Sequence, residues 1–572
     1  MKKILILILL LAGAAGAALY LSRSTRPASS EYYADYLPQD TLLTVSFIDL
    51  KGLTDSFPAS SLGKFLAKPT VHGMLSELGA GPAAFEEYDG LYDGLTVVLT
   101  NPAFRQIFGD DAVVALLPLD GARLQRVPEQ ELQKSVLIFG TSSVSGPLDS
   151  LARLVMSKSV VKESVGGLTV TRIQLDDNEV LYGYAEDGVL VLAYEPGNIV
   201  AAVNRQQTGG GLQESARFAV VRDFWAESGG GRQYTRTYVN LAGIRALLAG
   251  SAEEDARQLA EYLQGFKGMG ALVFERQGEL HVTNRIDYDQ AALNELVKKQ
   301  YQAVSEENLS LGLLTPEALA YYWVSLVDRD YVKGVLSATD AKQYQKVDAR
   351  VQRELGLSLD EVIAAVGPQT GLVVNEIVNT GLFPFPKVVV YLQIRDHEVA
   401  RQIVDRLRQD ITDRGFATEQ SEEVNGHTMY YWSLLPGEAT QPALVLTDNM
   451  LYVANGKSAL AALLAKGPAL GVLPDQMAET LGDNLVQNVI TSNYTTFVMR
   501  PDRLATAVRD AADWFTGMLA AGNGVSAEKL KEEILKLMHS VDVVIATSDI
   551  QKDYALSSLV LKQTAANAKN KQ

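Results

Sequence analysis

The chain repeats itself, and this constrains its fold more than any other feature. EDGVLVLAYEPGNIVAAV at 186–203 matches TDNMLYVANGKSALAALL at 447–464, with Asp187 on Asp448. Each is an acidic turn, an apolar strand, a second turn and an amphipathic helix. ESVGGLTVTRIQL (163–175) matches EEVNGHTMYYWSLL (422–435), with Gly167 on Gly426. TYVNLAGIRALLAG (237–250) matches TFVMRPDRLATAVRD (496–510), with Tyr238 on Phe497. LTNPAFRQIFGDDAVVALL (99–117) matches LSLDEVIAAVGPQTGLVV (357–374), with Gly109 on Gly367. At the ends, 36–53 pairs with 314–332 (Pro38 on Pro316) and 270–288 with 542–560. Matches in one order along both halves are the mark of a duplicated unit.

The halves span 32–295 and 312–563, with 296–311 as the connecting segment, 289–311 forming a joining helix and 564–572 a disordered tail. Unequal offsets place insertions at 53–99 and at 510–542. The second insertion contains an extra amphipathic helix at 527–539, marked by Leu530, Ile534 and Leu537.

Within a half, strands and helices alternate. Val45 and Phe47 share one face of a strand, with Thr44 and Ser46 on the other. Helical spacing links Leu148, Leu151, Ala152 and Val155; Val399, Ile403 and Leu407; and Leu504, Val508, Ala511 and Phe515. Turn residues at Glu186-Asp187-Gly188, Asp448-Asn449, Gln277-Gly278 and 549–553 join strands into hairpins, so pairing is antiparallel. The expected fold class is α+β: two tandem copies of a mainly antiparallel sheet-plus-helices unit after one N-terminal transmembrane helix.

That helix is read from Ile4 to Leu21, an unbroken apolar run behind Lys2 and Lys3. Eighteen residues at about 1.5 Å each give roughly 27 Å, enough for a bilayer core. The lysines hold the N-terminus inside and send the body outward. The expectation is a signal-anchor over 1–22, a linker over 23–31, and a single-pass protein of the inner membrane with its body in the periplasm or outside the cell. The alternative is secretion after signal-peptide cleavage. Beyond residue 30 the chain carries 47 basic and 68 acidic side chains, a formal charge of −21. This argues against nucleic acid as a partner and against lying flat on anionic lipid. With no cysteine, disulfides, thiolate metal sites and thiol catalysis are excluded.

The opening LPQDTLLTVSFIDLKGLTDSFPASSLGKFLAKPTVHGML (37–75) resembles the bacterial envelope proteins of domain of unknown function 3352. The matching residues are Pro38, Asp40, Thr41, Asp49, Leu50, Leu62, Gly63 and Leu66. The resemblance is strong over about forty residues and diffuse elsewhere. It implies an N-terminal hydrophobic segment and a long α+β body of similar units. It carries over no catalytic or binding residue.

No motif supports a catalytic, cofactor or metal site. His72, His281, His397, His427 and His539 lack metal-ligand spacing, and His281 alternates onto the polar, solvated face of its strand. Asp49 and Asp328 stand at strand-to-helix junctions, where N-capping accounts for them better than a carboxylate pair. The glycine runs 209–211 and 228–231 lack a phosphate-loop ending and read as flexible loops. Tyr321, Trp323, Tyr431 and Trp432 are candidates for a binding groove, against the alternative of sheet core. Phe383 and Phe385, set between prolines, are candidates for a partner contact. The function expected is a non-enzymatic binding or assembly component of the cell envelope, with another envelope protein or an apolar ligand as partner. The alternatives are a periplasmic carrier of an apolar or lipid ligand and a hydrolase with dispersed carboxylates.

Overall fold

The computed structural model describes residues 32–564 apart from 142–146, 155–156, 158, 176–178, 187, 303, 305–306, 326–340, 380–383, 414–416, 434–437, 466–471 and 524–525. The anchor run 4–21, the linker, Val155, Asp187, Asp328, Phe383 and 565–572 lie outside the described residues. Among the described residues no helix is long and apolar enough to cross a membrane. The chain divides into two compact units at Asn294/Glu295, each mixing helices with an antiparallel sheet.

The first unit holds β1 (Leu43–Ile48), β2 (Asp111–Leu116), β3 (Val136–Thr141), β4 (Ser159–Val165), β5 (Leu168–Gln174), β6 (Val180–Glu186), β7 (Val189–Ala193), β8 (Arg232–Val239), β9 (Phe266–Arg276) and β10 (Glu279–Tyr288). They pair in the order β4-β5-β6-β7-β3-β2-β1-β8-β9-β10, antiparallel throughout. Between β1 and β2 run α1 (Leu50–Ser56), α2 (Ser61–Phe65), α3 (Lys68–Glu77), α4 (Pro82–Thr100) and α5 (Pro102–Phe108). Then follow α6 (Gly121–Arg126) and α7 (Pro128–Lys134) before β3, and α8 (Pro147–Leu154) before β4. After β7 come α9 (Pro196–Thr208) and α10 (Ala216–Ser228), and after β8 come α11 (Leu241–Ala249) and α12 (Glu254–Tyr262). Proline at the first turn opens several of these helices, where its missing N–H costs no bond. Ile199 and Ala202 of α9 and Val221 of α10 are buried, with α9 packed on β6 and β7 and α10 on β8, β9 and β10.

The second unit holds β11 (Ala320–Ser325), β12 (Val366–Asn379), β13 (Pro384–Ile394), β14 (Glu419–Val424), β15 (His427–Trp432), β16 (Ala443–Leu446), β17 (Met450–Ala454), β18 (Thr495–Met499), β19 (Val541–Ile550) and β20 (Tyr554–Gln563). Their order is β14-β15-β16-β17-β13-β12-β11-β18-β19-β20, again antiparallel. Position for position, this is the order of the first unit. The helices are α13 (Glu295–Gln302), α14 (Ala341–Leu355), α15 (Leu359–Ala365), α16 (His397–Asp413), α17 (Lys457–Leu464), α18 (Asp475–Leu481), α19 (Asp483–Thr491), α20 (Pro501–Asn523) and α21 (Glu528–His539).

Register and burial fix the correspondence residue by residue. The turns Gly166-Gly167 and Asn425-Gly426 are left-handed at both positions (φ 59° and 85°, 50° and 81°), the backbone that a two-residue hairpin needs. Buried Thr44 faces Ala115 and Tyr238, and buried Tyr321 faces Val373 and Val498. Ala115 and Val373 therefore correspond, as the match of Gly109 with Gly367 requires. Tyr238 corresponds to Val498 and not to Phe497, and Thr44 to Tyr321 and not to Tyr322. Both matches slip by one residue, which puts the partner on the opposite face. Gly270 corresponds to Ile545 rather than Asp542, since each lies opposite the equivalent strand.

The connections also differ from expectation. The residues of 53–99 form the end of α1, then α2, α3 and most of α4. The segment 510–542 holds no extra helix: α20 and α21 occupy the connection held by α11 and α12, and are longer. α6 and α7 have no equivalent among the described residues of the second unit, where β12 and β13 pair as far as Asn379 opposite Pro384. The proposed joining segment belongs to the second unit. Leu311, Leu313 and Leu314 enter its core, and Asn308 and Ser310 bond to Tyr321.

Candidate functional site

The aromatic candidates do not converge. Tyr321 and Trp323 lie fully buried in β11, among Tyr391, Tyr452, Leu460, Met477 and Val489. The Tyr321 hydroxyl meets Asn308 Nδ2 at 2.9 Å and Ser310 Oγ at 2.8 Å, and burial pushes its pKa up to about 12. Trp323 Nε1 donates to Gln369 Oε1 at 3.0 Å. That oxygen also accepts from Leu309 N, while Gln369 Nε2 donates to the Glu307 carbonyl at 2.8 Å. Interior polar groups satisfied in this way serve the core, so neither ring lines a groove. Trp432 is buried against Val404 and Leu444. Tyr431 is half-buried, with the Lys457 ammonium 4.3 Å from its ring centroid. Phe385 is half-buried in β13 opposite Val378.

The carboxylates and histidines hold helices and strands together. Asp49 takes the left-handed conformation (φ 53°), caps α1 by accepting from Gly52 N at 3.0 Å, and ion-pairs with buried Arg232 of β8. Among the described residues, Arg232 Nε and Nη1 meet no hydrogen-bond partner. His72 meets Asp89 at 2.8 Å across α3 and α4. His539 is held between Asp502 at 2.6 Å and Arg509 at 3.4 Å, so both ring nitrogens are engaged. His281 is not on a solvated face: it is 6% exposed and stacks on Phe274 at 4.8 Å. Among the described residues, no group of three His, Asp or Glu side chains stands close enough to hold a metal ion.

Two surface features are suited to binding. The first is an open cleft of about 710 Å³ in the first unit, at the sheet end where β1 starts and β2 and β8 finish. Leu119 and Ala122 line one side, Ala242, Ala246 and Leu247 of α11 another, with Asp40, Gln125 and Arg217 also lining it. Asn240 caps α11, accepting from Gly243 N at 2.9 Å and from Arg217 Nη1 at 3.2 Å. Gly121, Ala122 and Gln125 of α6 form part of its wall, and among the described residues no helix stands between β12 and β13 of the second unit.

The second feature lies on α20, where Trp514, Phe515 and Met518 are 47%, 57% and 54% exposed. The stripe Leu504–Val508–Ala511–Phe515 predicts Phe515 inside. Instead the helix, which packs on β12, β13 and β19, buries Ala505 and also Thr516, whose hydroxyl donates to Glu528 Oε1 of α21 at 2.7 Å. The sequence signal was the adjacent pair Trp514-Phe515, since neighbours about 100° apart on a helix cannot both centre on one buried stripe.

No family model matches the chain, and no curated protein matches it. Solved crystal forms of TP0453 are similar at low scores. Form IV is 9% identical, covers 44% of this chain and 79% of its own, and has a TM-score of 0.22. Form I is 9% identical over 47% and 80%, with a TM-score of 0.23. Form III is 11% identical over 50% and 90%, also at 0.23. At these TM-scores the likeness carries no argument about fold or function.

Proposed function

We propose that this chain is a binding or assembly component of the bacterial cell envelope, built from two tandem copies of one α+β unit and held at the inner membrane by residues 4–21. The observation that carries the binding role is the exposed Trp514, Phe515 and Met518 face on α20. Large apolar side chains clustered in solvent mark contact surfaces, and Trp and Met are enriched in such contacts. The shared strand order supports duplication, and the unbroken apolar run supports the anchor.

The binding role is tested by placing a photo-cross-linking phenylalanine analogue at Phe515 in living cells. One dominant protein adduct, lost on adding Trp514→Asp, is expected. An adduct pattern equal to that of the analogue at exposed Arg503 rejects the role. The anchor is tested by fractionation: the chain should pellet with salt-washed membranes, and a dominant soluble, trimmed form would reject it. The cleft beside α11 favours a second reading, carriage of an apolar ligand. Extraction and mass spectrometry of the purified chain should then release one apolar species in stoichiometric amount, and its absence rejects that reading.

A further inference from the structure

The cleft beside α11 is lined by a buried amide that is only half used. Asn240 is 1% exposed. Gly243 N and Arg217 Nη1 both donate to its Oδ1. That fixes how the amide is turned, since only the oxygen can accept. Among the described residues no acceptor meets Asn240 Nδ2. A Cβ at Gly243, which also lines the cleft, would come within 3.0 Å of that nitrogen, so the glycine leaves it uncovered. A buried donor without an acceptor is costly, and a ligand oxygen in the cleft would satisfy it.

The charges beside this amide favour an anion. Arg217 is exposed on α10, and among the described residues no carboxylate pairs with it. Asp40, the one acid of the lining, lies close enough to Arg205 of α9 for their charges to interact. The first turn of α11 is here too, with Ala242 on the lining, so the positive end of the helix adds to the guanidinium. The remaining wall is largely apolar, with Leu42, Pro118, Leu119, Ala246 and Leu247. The second unit fills the same place. Arg500 stands where Asn240 does, each donating its backbone N–H to the residue before the central strand, Leu319 or Leu42. The buried Arg500 guanidinium reaches the Pro316 carbonyl at 3.2 Å and Asp542 at 3.4 Å.

We propose that the first unit's cleft takes a single-chain amphiphile with a carboxylate head. Asn240 Nδ2 and Arg217 hold the carboxylate, and the chain lies against Leu119, Ala246 and Leu247. This rests on the reading of the cleft as a carrier site and names the head of its ligand. One guanidinium matches one negative charge, whereas a phosphate monoester brings nearly two beside Asp40.

The full-length chain in phosphatidylcholine nanodiscs is titrated calorimetrically with octanoate, octan-1-ol and octyl phosphate, with empty discs as the blank. Octanoate should bind one per chain, at least tenfold more tightly than the alcohol of equal length. Asn240→Asp keeps the cap, because its carboxylate still accepts from Gly243 N, but it puts an acceptor where the donor stood. It should abolish the preference for octanoate at an unchanged melting temperature. Arg217→Gln, at an exposed position, should abolish it too, and carries the test if Asn240→Asp disturbs folding. Ala246→Trp, which fills the cleft, should weaken octanoate and octanol alike. Equal affinity of the native chain for octanoate and octanol, or a preference that survives Arg217→Gln and Asn240→Asp, overturns the proposal and leaves apolar carriage standing. Tighter binding of octyl phosphate than of octanoate overturns the carboxylate head. Binding of none of the three overturns the carrier reading and this proposal with it.

Discussion

At the scale of single residues, Asp49 shows how far the sequence can be read. An acid just before a helix signals a cap, and capping was legible; its ion pair with Arg232 was not, because that residue comes from a strand late in the unit. Asp49→Ala removes the cap and leaves a buried guanidinium uncompensated. A loss of about 2–4 kcal/mol is expected in urea unfolding, with Asp49→Asn intermediate because asparagine tolerates the left-handed backbone and still accepts from Gly52. Asp549 gives a pH signature. Burial raises its carboxyl pKa, with the Asn493 N–H at 3.2 Å opposing. Its contribution to stability is therefore present below the ordinary carboxylate pKa and lost as pH rises through the folded value. Asp549→Asn should melt above the native chain at neutral pH, and scanning calorimetry should show the gap closing as pH falls through the carboxylate range. His281 was misread because alternation assigns a side chain to a face but cannot say what packs against that side chain; here Phe274 of the neighbouring strand stacks on it.

Elements were legible where their turns carry distinct chemistry. The hairpins closed by Gly166-Gly167 and Asn425-Gly426 match in sequence and in backbone. Their tips are held differently: Asn425 Nδ2 donates to the Leu464 carbonyl of α17 at 2.8 Å, whereas a Cβ at Gly166 would lie 2.7 Å from Val200 Cγ1 of α9. Transplanting one tip onto the other should therefore fail. Gly166→Asn is expected to cost about 1–2 kcal/mol by overpacking, measured by denaturant midpoint. Asn425→Gly should cost about 1 kcal/mol through the lost hydrogen bond. The matches slipped in β1 and β8 for a physical reason. Segments such as AYYWVS and TTFVM are bulky on both faces, so no polar beat marks the inward side, and a one-residue shift still looks well matched. The buried face of α20 was misjudged because helical spacing marks an apolar stripe but not what packs against it: the helix buries Ala505 and Thr516, and Thr516 is held by Glu528 of α21.

At the scale of the whole molecule, the chain divides at Asn294/Glu295, beside the end of the first half read at 295, but the unit to which 296–311 belongs was not legible from repetition. Sequence matching ends where the two halves cease to resemble one another, and that leaves out a segment present in one unit alone. Residues 295–311 are such a segment: Asn308 and Ser310 hold the Tyr321 hydroxyl, and Leu309 N meets Gln369. A chain from Glu295 to Gln563 should unfold cooperatively. One beginning at Gly312 should be less stable by at least about 2 kcal/mol, since burying Tyr321 and Gln369 without their partners leaves polar groups unsatisfied; parallel urea titrations would show equal midpoints if this is wrong. The strand order has a further consequence. β1 sits mid-sheet, yet one of its neighbours, β8, is synthesised only after the whole β4–β7 meander and α10, and β11 waits in the same way for β18. In each unit that first strand is therefore paired on both sides only after a long stretch of chain has been made, and such long-range pairing carries a loop-closure cost that slows folding. Until then the earliest strand of each unit keeps an open side, and there a chaperone or translocation channel would find exposed backbone to hold.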